Sequence, residues 1–413
     1  MEKAPKSLRL HIGLFGRTNV GKSSFLNYIS GQDVAITSPV AGTTTDVVQK
    51  TMELLPVGPV VFLDTAGLDD VSELSQLRLK KTRKVYDLCD VIVLVTEPDS
   101  WTQYEDGLLG EAASRNIPVI LVINKIDLKE HTPILPDEIR NKTKGVMAVS
   151  CAQAHERDMS VHTFKKLLIE ACPEEFLNPT AIIGDLLPPG SLAVFIIPID
   201  KEAPKGRIIL PQVQALRDAL DNDSYCLVAK ENEYKKALAD LKKDPDLVVC
   251  DSQVVLKMVN ETPEDVKCTT FSILFARYKG DLLEAVRGAA AIDKLAAGDK
   301  ILIAEACSHH AIEDDIGRIK IPRWIKSYTG LDIAIDVVSG RDYPENLKDY
   351  KLVIHCGACM LTRRQMLSRV QRAREQGVAI TNYGVAIAFL QGVLKRVLSP
   401  FPGILETTKA HIK

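Results

Sequence analysis

No apolar run in this 413-residue sequence approaches the ~18–20 residues that a bilayer-spanning helix needs. The amino-terminal Met1-Glu2-Lys3-Ala4-Pro5-Lys6 lacks the apolar core of a signal peptide. A cytoplasmic chain with no membrane partner is therefore expected. Charge of one sign is lacking as well: 52 Lys and Arg stand against 54 Asp and Glu, a net of −2. That excludes the global basic field behind nonspecific nucleic-acid binding, and no nucleic-acid partner is expected. Repeats and low-complexity tracts are absent. Cysteine is too sparse for a disulfide-built fold, nine residues in the whole chain, so clustered thiols are expected to be metal ligands or redox groups in a reducing compartment. What is present is an ordinary globular composition, 46% hydrophobic and 26% charged.

The length predicts two or three domains, and strand-like runs alternate with helical patterns, an α/β signature with mainly parallel sheets. In residues 1–173 the strand-like runs are Leu10–Phe15, Val60–Leu63, Val91–Val95, Pro118–Ile123 and Val146–Val149. Helical stretches are Ser72–Leu88 and Val161–Ala171. A linker punctuated by Pro179, Gly184, Pro188, Pro189 and Gly190 opens a second region, 174–269. Its strand-like runs are Leu192–Ile199, Tyr225–Ala229, Leu247–Cys250 and Thr270–Leu274, the last at the boundary; Pro211–Leu220 and Glu233–Leu241 read as helices. The third region, 270–413, has strands at Lys300–Ala306, Leu331–Val338, Tyr350–Ile354 and Val378–Thr381, and helices at Thr362–Glu375 and Val385–Val397. It carries 21 Lys and Arg against 15 Asp and Glu, a net of +6, which leaves −8 for the rest and suggests a distinct task.

Gly16-Arg17-Thr18-Asn19-Val20-Gly21-Lys22-Ser23 matches G-x-x-x-x-G-K-[ST] between a strand and a helix, the context the motif requires. Backbone N–H groups of Gly16, Asn19, Val20, Gly21, Lys22, Ser23 and Ser24 would cradle phosphates at a helix amino terminus. Lys22 would reach the β- and γ-phosphates, and Ser23 would ligate Mg²⁺. Asp64-Thr65-Ala66-Gly67 closes a strand, where Asp64 can hold Mg²⁺ and the Gly67 N–H can meet the γ-phosphate. Asn124-Lys125-Ile126-Asp127 follows another strand; Asp127 would accept two N–H bonds from guanine, and Lys125 would cover the base. Adenine would leave that carboxylate unpaired, a costly mismatch. Ser150-Cys151-Ala152 ends the last strand, where a backbone N–H would meet the guanine oxygen.

These elements resemble the translation-factor-related (TRAFAC) P-loop GTPases, in the Era/TrmE-like branch of tRNA-modifying and ribosome-assembly GTPases, over residues 9–172. The resemblance implies GTP and GDP as ligands and makes Gly42-Thr43-Thr44-Thr45-Asp46 the first switch, with Thr44 a second Mg²⁺ ligand. Leu68 stands where Ras-like GTPases place the water-orienting Gln. Asn19 occupies the position at which several relatives bind K⁺ beside the phosphates. The expected machinery is thus Lys22, Thr44, Gly67 and Asn19, with slow intrinsic hydrolysis.

Six cysteines are isolated: Cys89, Cys151, Cys172, Cys226, Cys250 and Cys268. They read as core or packing residues. Cys307-Ser308-His309-His310 and His355-Cys356-Gly357-Ala358-Cys359 differ, each lying just past a predicted parallel strand, where side chains converge on one crevice. A zinc site, a [4Fe–4S] cluster and a redox pair all suit this set. The whole chain resembles the HydF family, the GTPase scaffolds of [FeFe]-hydrogenase maturation. That resemblance implies a central dimerisation domain, and hence a homodimer, and a carboxy-terminal domain holding a [4Fe–4S] cluster on Cys307, Cys356 and Cys359. It implies roles for His309 and His355 as weak ligands, second-shell donors or loop supports. It also implies a di-iron precursor assembled or carried there, radical-SAM hydrogenase maturases as partners, and apo-[FeFe]-hydrogenase as recipient. Glu305 and Asp185 are candidate fourth ligands; His310 reads as structural. The arginines of 363–374 form either a solvated face or a docking surface. The rival reading is an RNA-directed GTPase with a zinc module.

Overall fold

The structure, a computed structural model, describes residues 9–31, 48–64, 85–128, 135–177, 180–199, 208–306, 315–340 and 343–408. It divides into two compact units, Met1–Pro179 and Thr180–Lys413.

The first unit is built on a six-stranded sheet in the order β2-β3-β1-β4-β5-β6. Its strands are β1 Leu10–Phe15, β2 Val48–Leu54, β3 Gly58–Asp64, β4 Val91–Thr96, β5 Val119–Ile123 and β6 Gly145–Ala148. The central strands β1, β4 and β5 are continuous apolar runs, buried along their whole length, as strands covered on both faces must be. All pairings are parallel except β2 with β3, so the mainly parallel sheet carries one antiparallel edge strand absent from the expected elements. The register sets Leu14 beside Asp64, Phe15 beside Leu94, and Ile123 beside both Thr96 and Ala148. The segments leaving β1, β3, β5 and β6 therefore emerge at one edge. The helix Ser72–Leu88 is described only over 85–88, which are helical.

The second unit holds two all-parallel four-stranded sheets. One is β10-β9-β7-β8, with β7 Leu192–Ile196, β8 Tyr225–Ala229, β9 Leu247–Cys250 and β10 Lys267–Thr270. The other is β12-β11-β13-β14, with β11 Lys300–Ala304, β12 Ala334–Val338, β13 Leu352–His355 and β14 Ala379–Asn382. One apolar core runs through both, from Ile182 to Phe401.

Two expectations change here. The run Thr270–Leu274 is not a strand. Thr270 caps the helix Phe271–Lys279, its hydroxyl accepting from the Ile273 N–H at 3.2 Å. Periodicity cannot separate a helix buried nearly all round from a buried strand. The helix expected over Val385–Val397 breaks into Tyr383–Leu390 and Leu394–Val397, because Gly392 takes a left-handed turn at φ 71°. Among the described residues no helix is long and apolar enough to cross a membrane.

Candidate functional sites

The phosphate loop leaves β1 at Gly16 (φ 145°) and enters the helix Lys22–Ser30 through Gly21 (φ 94°). A side chain on Gly16 would collide with the Val95 carbonyl, and one on Gly21 with the Asn124 amide, so only glycine fits. Asn19 sits exposed in the left-handed region at φ 67°. The buried Lys22 ammonium turns back on its own loop, donating to the Gly16 carbonyl and, at 3.0 Å, to that of Arg17. Ser23 and Ser24 are exposed on the first helical turn.

Asn124 joins the loop to the base-side segments. Only 2% exposed, it donates from Nδ2 to the Val20 carbonyl at 2.9 Å and accepts from the Cys151 N–H at 3.3 Å. Removing this amide would strand buried partners at about 1–3 kcal/mol. Lys125 (φ 61°) donates to the Asn19 carbonyl at 2.7 Å and pairs with Glu97. Asp127 is exposed. Burial, and then Asp127, pushes the Cys151 thiol up to about 12, so this cysteine is a packing group and no nucleophile at neutral pH. Ser150 is buried. Arg17 pairs at 2.8 Å with the fully buried Glu105, which also closes the capping box of the helix Gln103–Ser114. Asp64 ends β3. Thr44, Gly67 and Leu68 lie outside the described residues.

The second site lies where the third sheet reverses its winding. From β11 the chain passes to β12 on one side, and β13 lies on the other, so the carboxyl ends of β11 and β13 flank the switch point at which open α/β sheets bind ligands. Cys356 follows β13 directly, and its Sγ accepts from the Ala306 N–H at 3.0 Å. Ala306 immediately precedes Cys307 in the chain; Cys307, His309 and His310 lie outside the described residues. Among the described residues no three His, Cys, Asp or Glu side chains converge on a metal position, and two thiols of the three stand at this edge. Ala358, at φ 53°, turns the chain between Cys356 and Cys359. Burial pushes the Cys359 thiol upward, and Lys279 pulls against it. A pocket of about 350 Å³, open mouth included, runs along Cys356–Ala358 and against Phe275, Met366 and Thr381.

His355 is fully buried with both ring nitrogens engaged. Arg369 can only donate, so the 2.7 Å contact makes Nε2 the acceptor, and Nδ1–H donates to the Cys356 carbonyl at 2.9 Å. Burial first, and then the Arg369 charge, pushes this imidazole down to about 3 and keeps it neutral. As placed, His355 supports the loop. Glu305 and Asp185 are likewise engaged, by Arg318 at 2.9 Å and by Arg277 at 2.6 Å. In the arginine-rich helix four guanidinium groups are engaged within the chain. Arg363 donates to the carbonyls ending the helix Phe271–Lys279, Arg369 holds His355, Arg372 lies over Tyr343, and Arg374 pairs with Glu284.

Comparison with known proteins separates the two units. Residues 11–125 match the family model described as a 50S ribosome-binding GTPase. Residues 182–280 match the hydrogen maturase F dimerization domain, and residues 283–400 its tetramerization domain. The chain belongs to the HydF family. Its first unit is a P-loop GTPase domain, and its HydF domains are oligomerization domains. Curated relatives cover smaller shares of the chain. The tRNA modification GTPase MnmE of Herminiimonas arsenicoxydans is 39% identical over 130 residues, 30% of this chain and 28% of that protein. The GTPase Era of Haemophilus ducreyi is 30% identical over 188 residues, 43% of this chain and 62% of that one. This HydF chain thus spans about a quarter of the MnmE relative's length. Among solved structures, Aquifex aeolicus Era bound to GDP·AlF4⁻ is 22% identical with a TM-score of 0.32, covering 53% of this chain and 91% of that one.

In this HydF chain, sequence reasoning missed Lys279. Its ammonium, 2% exposed, reaches the carbonyls of Leu361 at 2.8 Å, Cys359 at 3.0 Å and Ala358 at 3.5 Å. Burial pushes it down to about 8, while Cys359 raises it. Its only local sign was a lysine ending an apolar run.

Proposed function

We propose that this chain is a GTP-hydrolysing scaffold that holds a [4Fe–4S] cluster and assembles or carries the di-iron H-cluster precursor for delivery to apo-[FeFe]-hydrogenase. Radical-SAM hydrogenase maturases would supply that cargo, and the working form would be a homodimer or a higher oligomer built on it. The observation that carries this reading is a Cys356–Cys359 turn at a sheet's switch point, in a chain of the HydF family.

In this reading Lys22 neutralises the β- and γ-phosphates, Ser23, Thr44 and Asp64 hold Mg²⁺, and the Gly67 N–H marks the γ-phosphate. Asp127 selects guanine, Lys125 covers it, and the backbone at Ser150 and Cys151 meets its oxygen. The donor set suits the cluster: Cys356 and Cys359 share one short turn, and the Ala306 N–H already donates to the Cys356 sulfur that would ligate iron. Bound there on Cys307, Cys356 and Cys359, the cluster would supply an iron with an exchangeable position for the cargo. Neither His355 nor Glu305 nor Asp185 offers an unengaged donor to close it. Anaerobic reconstitution with iron and sulfide should give about four iron atoms per chain and, on reduction, a [4Fe–4S] EPR signal that added imidazole or cyanide perturbs. Tight zinc in place of iron would defeat the reading.

The exposed Asn19, its carbonyl held by Lys125, is the proposed K⁺ site. GTP hydrolysis should be at least severalfold faster in KCl than in NaCl at matched ionic strength, as expected where a cation stabilises transition-state charge. Asn19→Ala should erase the difference. Equal rates in the two salts for the unaltered chain would remove this assignment.

A further inference from the structure

Lys279 ends the helix Phe271–Lys279, yet its side chain does not run to solvent. An ammonium carries three N–H donors and no acceptor. Here all three can be matched by carbonyls of a single turn, those of Ala358, Cys359 and Leu361. The contact is reciprocated. Arg363, the first residue of the next helix, donates to the Tyr278 carbonyl at 2.7 Å and to those of Arg277 and Gly280 at 3.3 and 3.4 Å. The helix end and the cysteine turn therefore clasp each other at two points. Burying an ammonium is an expensive way to fix a turn, and a neutral amide could cap carbonyls at lower cost. A charge in that place suggests that the charge itself is used.

We propose that Lys279 is a positioning residue for the iron–sulfur centre, holding the Cys356–Cys359 turn in its ligating shape and setting a fixed positive charge beside Cys359. The inference rests on the cluster reading above. Iron–sulfur potentials respond to nearby net charge and to polar contacts around the sulfurs. In a water-excluded site that response is strong. A buried cation beside Cys359 would favour the reduced, more negative cluster, and its three carbonyl contacts would keep the turn from opening when the centre is empty.

Two variants of the full chain separate the two contributions. Lys279→Met keeps the stem and removes both charge and donors. Lys279→Gln removes the charge but keeps an amide able to cap. In EPR-monitored redox titration both should shift the reconstituted cluster to lower potential, by about tenfold in the one-electron equilibrium, ~59 mV. Hydrogen exchange of the 356–361 amides in the apo chain should accelerate about tenfold in Lys279→Met and stay near the unaltered rate in Lys279→Gln. Wild-type potentials in both variants with unchanged exchange would overturn the proposal. So would failure of both to fold, read by circular dichroism, since that would make Lys279 a plain core residue. If the unaltered chain takes up no iron, the cluster reading falls, and the exchange comparison alone then decides whether Lys279 shapes the turn.

Discussion

Lys22→Ala is expected to lower GTP hydrolysis by about 10²–10³-fold, the usual loss when one preorganised charge donor is removed from a transition state, and to leave iron loading intact. Lys22 is 6% exposed and is the only lysine of the phosphate loop. The loop's shape does not depend on it alone. Gly16 and Gly21 set the backbone, and Asn124 ties Val20 to Cys151 from outside. Truncation should therefore remove charge from the β- and γ-phosphate positions without unfolding the unit. Phosphate release measures the first effect, and iron per chain after anaerobic reconstitution measures the second. The phosphate loop and the cysteine turn belong to different compact units, so a parallel fall in iron would mean that cluster loading requires nucleotide turnover, and the assignment of independent chemistries would fail.

Cys356→Ser should give the opposite pattern. The side chain follows β13 at the switch point, and its sulfur accepts the Ala306 N–H at 3.0 Å. Serine is a harder and less acidic ligand for iron than cysteine, and iron–sulfur clusters rest on thiolates. Iron should drop from about four atoms per chain to below one, with the cluster's absorbance and EPR signal lost. GTP hydrolysis should stay within about twofold of the unaltered rate, as for a change remote from the reacting phosphates. A variant that kept its full cluster would strip Cys356 of its role.

What could be read from the sequence was what is local. G-x-x-x-x-G-K-S, N-K-x-D and C-x-x-C each place their chemistry within a few consecutive residues. The strands β8 and β9 fall at the expected bounds because apolar runs between turn signals leave little choice. The helix expected over Thr362–Glu375 runs Arg363–Glu375, with Thr362 as its cap. What escaped depends on distant partners. Lys279 meets Leu361 82 residues away, and Asn124 meets Val20 across 104. No local pattern encodes such contacts. The helix Phe271–Lys279 was misread because burial on most of its faces erased the polar stripe that identifies a surface helix. The antiparallel β2 escaped because its sequence, Val-Gln-Lys-Thr-Met-Glu-Leu, is the more polar run of a sheet edge.

The all-parallel third sheet dictates an order of assembly. Ile301 of β11 pairs with Leu352 of β13, 51 positions later, and neither strand can reach the other until the crossover between them has formed. Small zinc modules let the metal gather an otherwise unfolded peptide. Here the carboxyl ends of β11 and β13 are neighbours only in the finished sheet, so the proposed cluster would enter a cradle that the fold itself builds. A carrier of the kind proposed here would gain from such a cradle, because it could be emptied and refilled without losing its shape.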